Sequence, residues 1–170
     1  MYNYVGSAKE VSIPGDIGVY GVSRTPPGGS DSWKPAFYGN KTLKKVVIPE
    51  GVAIVEDSAF SGCTLLTDIT LPASLRVLKN HAFERTGTSA GVRFIVVLPA
   101  GLKEMTTGNG AGWASFNSSA ATLVVQNKAI ADAMYEDWWQ YYGSVADAEA
   151  GINLIRKPND QEGFTWNGNI

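Results

Sequence analysis

The chain holds one cysteine and one histidine. A single cysteine closes no internal disulfide, so the redox compartment cannot be read from cysteine usage. One Cys and one His also fill none of the usual zinc ligand sets, so neither a metal nor a cofactor is expected. Only 18% of residues are charged, fourteen basic against sixteen acidic, for a net charge of −2. Without a basic stripe, the electrostatic footprint of nucleic-acid binding is missing. No run of eighteen apolar residues occurs, which argues against a membrane-spanning helix. The opening Met1-Tyr-Asn-Tyr-Val-Gly-Ser7 has neither a basic n-region nor an apolar h-region, so no signal peptide is read there.

Catalytic motifs are equally scarce. There is no Gly-x-Ser-x-Gly elbow for a serine nucleophile. Gly108-Asn-Gly-Ala-Gly112 lacks the Gly-Lys-Ser/Thr ending of a phosphate loop and reads as a flexible insertion. Acidic residues are scattered (Asp57, Asp68, Glu84, Glu104, Asp132, Glu136, Asp137), and no Asp-x-Asp-x-Asp-Gly calcium loop gathers them. Asn40-Lys-Thr42 and Asn117-Ser-Ser119 form glycosylation sequons, meaningful only in a eukaryotic secretory host. No catalytic residue is expected.

What the chain does have is a motif that returns. Leu43-Lys-Lys-Val-Val-Ile-Pro49 is followed, eleven residues after its proline, by Phe60 of Ala59-Phe60-Ser-Gly-Cys63. Leu66-Thr-Asp-Ile-Thr-Leu-Pro72 is followed at the same distance by Phe83 of Ala82-Phe83-Glu-Arg-Thr86. Both the prolines and the phenylalanines recur at 23 residues. A period of this length signals a solenoid, whose repeats bury their apolar faces only by stacking on neighbours. Phe94-Ile-Val-Val-Leu-Pro99 with Phe116, and Val11-Ser-Ile-Pro14 with Phe37, extend the series to four copies, two carrying insertions. Leu123-Val-Val125 reads as a terminal strand.

Position by position, the near-alternation of Leu43, Val46 and Ile48 suits a short strand with one buried face, and proline then stops the ladder. Ile48, Leu71 and Leu98 are expected to face the core. Val52/Val55, Leu75/Leu78 and Leu102/Met105 supply a second apolar pair, and Phe37, Phe60, Phe83 and Phe116 an internal aromatic column. Cys63 falls in a slot filled elsewhere by Asn40, Thr86 and Ser119, which points to a buried structural thiol. His81 shares its slot with Pro35, Ser58 and Ala114, a turn position without need of imidazole. Its phase differs from that of Cys63, which argues against a Cys–His dyad.

The pattern resembles the BspA-like leucine-rich repeat, approximately Leu-x-x-Ile-x-Ile-Pro-x-x-Val-x-x-Ile-x-x-x-Ala-Phe-x-x-Cys, over about residues 8–125. The resemblance implies a short-repeat, β-rich solenoid of the α/β leucine-rich-repeat class with a right-handed superhelix. The solenoid is read over 1–126, with insertions near 20–35, 87–93 and 106–113. A helix-and-strand C-terminal cap follows over 127–158, with Trp138, Trp139, Tyr141 and Tyr142 partly sealing the stack. A tail runs over 159–170. Proteins of this family are mostly bacterial surface or secreted proteins implicated in adhesion, so a location outside the cell and an extracellular protein or glycan ligand are implied.

Two surfaces are candidates for binding. On the outward strand face lie Val47, Thr70, Ile95 and Val97, polar toward the N-terminal half and apolar toward Val97 and Val124. Such an apolar patch calls for a partner or for a covering segment, and the tail with Phe164 and Trp166 could serve as cover. The insertions carry Trp33, with Tyr38 nearby, and Trp113, residue types enriched at binding hot spots. A non-catalytic recognition module of an adhesin-like protein is the first reading. An assembly domain of a larger surface or phage-particle protein, stacking through its N-terminal end, is the second. A hydrolase of extracellular polymers is a distant third.

Overall fold

The computed structural model describes residues 8–13, 35, 37–106, 115–117, 119–136 and 141–155. Its strands are β1 (Glu10–Ser12), β2 (Lys45–Val47), β3 (Ile54–Val55), β4 (Asp68–Thr70), β5 (Val77–Leu78), β6 (Phe94–Leu98), β7 (Glu104–Met105) and β8 (Ala121–Val125). Two helices follow, α1 (Lys128–Glu136) and α2 (Val145–Ala150).

Among the described residues the repeats build three walls. The first is parallel sheet: Val46 of β2 pairs with Val11 of β1 and Ile69 of β4, while β6 pairs with β8, Val96 opposite Leu123. The second wall joins β3, β5 and β7, with Val55, Leu78 and Met105 in register. The third is a ladder of turns, in which the N–H groups of Phe37, Phe60 and Phe83 donate to Ala59 O, Ala82 O and Ser115 O at 3.2, 2.8 and 2.7 Å. A backbone group that left water on folding finds its partner one repeat away.

Between the walls lies an apolar core. Val46, Ile48, Val55, Leu75, Leu78, Val96 and Leu98 are buried, as are Ala59 and Ala82. Phe37, Phe60, Phe83 and Phe116 stack in one column, with centroids 5.0, 5.1 and 5.0 Å apart and planes within 8°, 1° and 14°. Leu71 departs from the sequence expectation: it is only half-buried, packed against the core rather than within it. Its strand β4 has no ladder partner on the downstream side among the described residues, although β6 lies next to it.

Polar side chains repeat the same register. Lys45–Asp68 (2.8 Å) and Glu56–Lys79 (2.9 Å) are ion pairs between residues 23 apart. Asp57 accepts from Asn80 N–H at 3.1 Å and Glu84 from the Ser61 hydroxyl at 2.9 Å, again 23 apart. Glu50 accepts from the N–H groups of Ala73 (2.8 Å) and Ser74 (3.1 Å), while Ser74 Oγ accepts from Gly51 N–H and donates to Val52 O. Equivalent positions of successive repeats lie side by side, so complementary residues at one phase meet.

The 87–93 insertion lies back on the preceding repeat, Gly87 N–H donating to Cys63 O and Ser89 N–H to Thr64 O. The insertions near 20–35 and 106–113 fall almost wholly outside the described residues. Downstream of β8, α1 packs against the end of the stack. Asn127 Oδ1 accepts from Ala129 and Ile130 N–H, starting α1, while its Nδ2 donates to Ala100 O and Leu102 O, each at 2.7 Å. One side chain thereby caps a helix and satisfies two carbonyls of the last turn, the counterparts of Ala73 O and Leu75 O, which accept from Arg76. Ile130, Ala131 and Met134 turn the buried face of α1 into the core.

Candidate interaction surface

The outward side of the strand wall is set by the pleat: Val11, Val46 and Ile69 point inward, so their neighbours point out. Glu10, Lys45 and Asp68 form one row across β1, β2 and β4, and Ser12, Val47 and Thr70 the next. On β6 and β8 the same rows continue as Ile95 with Thr122 and Val97 with Val124. Thr70 is exposed, Val47 and Ile95 are half-buried, and Val97 is 41% exposed. The hydrogen bond from Lys45 to Asp68, reinforced by their attraction, holds the lysine above its ordinary pKa. The charges of Lys45 and Asp68 therefore cancel locally, leaving Glu10 as the one net charge of this row beside hydroxyl and apolar groups.

The apolar half of the wall is narrower than the sequence implies. Val124 is fully buried, yet it stands outside the core cluster. It points to the outer side, where α2 lies against β6 and β8. This helix belongs to a short excursion closed at its base by reciprocal bonds between Tyr141 and Ile155, at 3.1 and 2.9 Å. Tyr142 extends the sheet beyond β8 by a parallel bridge to Val124. The cover over this half is thus α2; the tail, with Phe164 and Trp166, lies outside the described residues. Trp138 and Trp139 lie outside them too, whereas Tyr141 is buried in the core. Sequence reasoning missed α2, although its signal is present. Ser144 caps the helix by accepting from Asp147 N–H at 3.1 Å, and Gly151 ends it in the left-handed conformation.

The remaining candidates do not converge on this wall. Tyr38 is 54% exposed on the turn wall, next to Gly39. Trp33 and Trp113 lie outside the described residues. Val47 and Thr70 are brought together as direct ladder partners, and Ile95 and Val97 share β6.

Little on the turn wall suits chemistry. Cys63 is buried, its thiol donating to Phe37 O at 3.0 Å, and burial pushes its pKa up to about 12. His81 Nδ1 lies 3.3 Å from Glu84 Oε2, the atom that also receives the Ser61 hydroxyl. The serine proton points to the carboxylate rather than to imidazole, which is not a nucleophile–base arrangement. His81 and Ser58 share a left-handed conformation, at φ 54° and 57°, so this slot does impose a demand, on the backbone. Among the described residues, no three His, Cys, Asp or Glu side chains gather to hold a metal ion, and no helix is long and apolar enough to cross a membrane.

With this geometry in view, comparison with known families is decisive for the repeats. Residues 33–97 match the BspA type leucine rich repeat region, a model described with six copies. Over these residues the repeats are leucine-rich repeats of the BspA type. A solved structure, that of T. pallidum leucine rich repeat protein, is similar at 27% sequence identity and a TM-score of 0.44. The similarity covers 71% of this chain and 60% of that one, so this chain spans less than two thirds of the length of that structure. No curated protein matches. In BspA-type terms, the proline-terminated strands form the candidate surface, and the Ala-Phe turns form the opposite side of the core.

Proposed function

We propose that the chain is a non-catalytic recognition module whose strand wall engages a partner protein through Val47, Thr70, Ile95 and Val97. The observation that carries this reading is the register of the outward rows: exposed hydroxyl and apolar groups are repeated across parallel strands, with the flanking Lys45–Asp68 pair neutral. Each laddered half of the wall, Val47 with Thr70 and Ile95 with Val97, presents its groups at little conformational cost, which favours binding of a complementary surface. Family character supports the same reading, since leucine-rich repeats are generally protein-binding.

In its finer form the reading is of a four-copy, right-handed solenoid over 1–126 with a cap over 127–158 and a tail over 159–170. Its setting would be a bacterial cell-surface or secreted adhesin-like protein, and Trp33 and Trp113 would be accessory contacts for protein or glycan.

The test is binding to immobilised extracellular-matrix proteins and glycans. Wild type is compared with Thr70→Arg/Val97→Arg and with Trp33→Ala/Trp113→Ala, each checked for folding by circular dichroism. Loss of binding in the first variant is the expected outcome. Retention there with loss in the second moves the site to the insertions. Concentration-dependent self-association without ligand binding would replace recognition with assembly.

A further inference from the structure

Among the described residues, the strand wall is interrupted once. Across the second wall, β5 pairs with β7, and across the third, Phe83 N–H donates to Ser115 O and Arg85 N–H to Asn117 O at 2.9 Å. Repeats three and four are therefore laddered on two of their three sides. On the strand side they are not: β1, β2 and β4 form one sheet and β6 and β8 another, with β4 and β6 adjacent but unpaired. Hydrogen bonding marks the difference at equivalent positions. Ile48 N–H donates to Thr70 O across the β2–β4 junction at 3.0 Å. Leu71, 23 residues later, makes no such bond across the β4–β6 junction, and its side chain is left half-buried.

The 87–93 insertion leads directly into β6. Phe94, the first residue of β6, is buried with its ring over Gly87, a glycine at φ 70° that leaves room for it and that also lies close to Leu66 O. The ring and the inserted turn lie at the start of β6, beside this gap, while β5 and β7 pair without interruption. Two rigid half-walls joined along two laddered sides have one soft degree of freedom, rotation that widens or narrows the gap on the third side. Neighbouring strand edges without ladder bonds cost little to separate further, because no backbone hydrogen bond between them has to break.

We infer that the β4–β6 seam is a hinge in the strand wall, setting the distance between Thr70 on one half and Val97 on the other. The inference rests on the recognition reading only for its consequence, which is that the wall adapts its curvature to a partner. The motion itself is tested without any ligand, so its failure leaves that reading standing.

Amide hydrogen exchange resolved by residue tests it first. Ile69 and Leu71 should exchange at least tenfold faster than Val46 and Ile48, their counterparts one repeat upstream. Equal protection at the two junctions would overturn the proposal. The second measurement is a lock: Thr70→Cys/Val97→Cys on a Cys63→Ser background. Serine fits that slot, since Thr86 occupies it one turn of the stack further on and Ser119 two turns further on. Mild oxidation should bridge the pair and slow exchange at Leu71 at least tenfold relative to the reduced protein. A pair that never bridges, or a bridged protein that exchanges as fast as the reduced one, would overturn it.

Discussion

Phe94 sits directly over Gly87, and the two residues are fitted to each other. A methyl group on Gly87 would collide with the Phe94 ring and come within 3.2 Å of Leu66 O. The backbone there has φ 70°, a conformation that L side chains resist. Gly87→Ala should therefore destabilise the fold by about 2–4 kcal/mol, combining backbone strain with overpacking. Gly39, at φ 69° with nothing within 4 Å of where a methyl group would sit, isolates the first of these effects. Gly39→Ala should cost about 1 kcal/mol. Urea unfolding of both variants measures the difference, and equal losses would mean that the ring does not rest on Gly87.

Arg85 takes the place that glycine holds in the two preceding repeats. Gly39, Gly62 and Arg85 share one phase and have φ 69°, 73° and 54°. The arginine is exposed. Arg85→Gly should raise stability by about 0.5–1 kcal/mol, because removing Cβ relieves the left-handed strain. A lower unfolding midpoint in the variant would show that the arginine side chain contributes more than its backbone costs.

Cys63 should be chemically silent until the protein unfolds. Its thiol is buried and donates to Phe37 O, and burial pushes its pKa from 9.0 up to about 12. Disulfide-exchange reagents should label it only at the rate of global opening, and at once in denaturant. The sign of its pH effect follows. Below pH 9.0 both states keep the proton; above it only the unfolded state releases it, so stability falls as pH rises toward about 12. Cys63→Ser should flatten that alkaline decline.

Glu50 ties one repeat to the next. The Ala73 N–H, and then that of Ser74, hold its carboxyl below the ordinary 4.5. A lowered carboxylate pKa stabilises the fold above the unfolded value, and the contribution fades as pH falls through the folded value. Glu50→Gln should thus unfold with a shallower pH dependence below about pH 4.5 than wild type. Parallel acid profiles for the two proteins would remove Glu50 from the linkage.

Much of this architecture is legible in the residues alone, and the reason is repetition. When Phe60 and Phe83 occupy one phase, every coil presents the same group to its neighbour, so a 23-residue offset becomes a spatial contact. The same logic gives the register of Lys45 against Asp68 and the outward placing of Val47 and Thr70. A periodic pattern sets its own neighbours.

The tertiary structure decided what lies outside the period. The length of the 87–93 segment does not say where it packs; in the folded chain Phe94 lies on Gly87, β4 and β6 are unpaired, and Leu71 is half-buried. Neither do the residues of the cap say where it folds. Asn127 bonding to Ala100 and Leu102, and α2 covering Val124, arise from contacts between segments that occur once. Such contacts have no second copy in the chain to reveal them, and their geometry depends on the end of the stack already being formed.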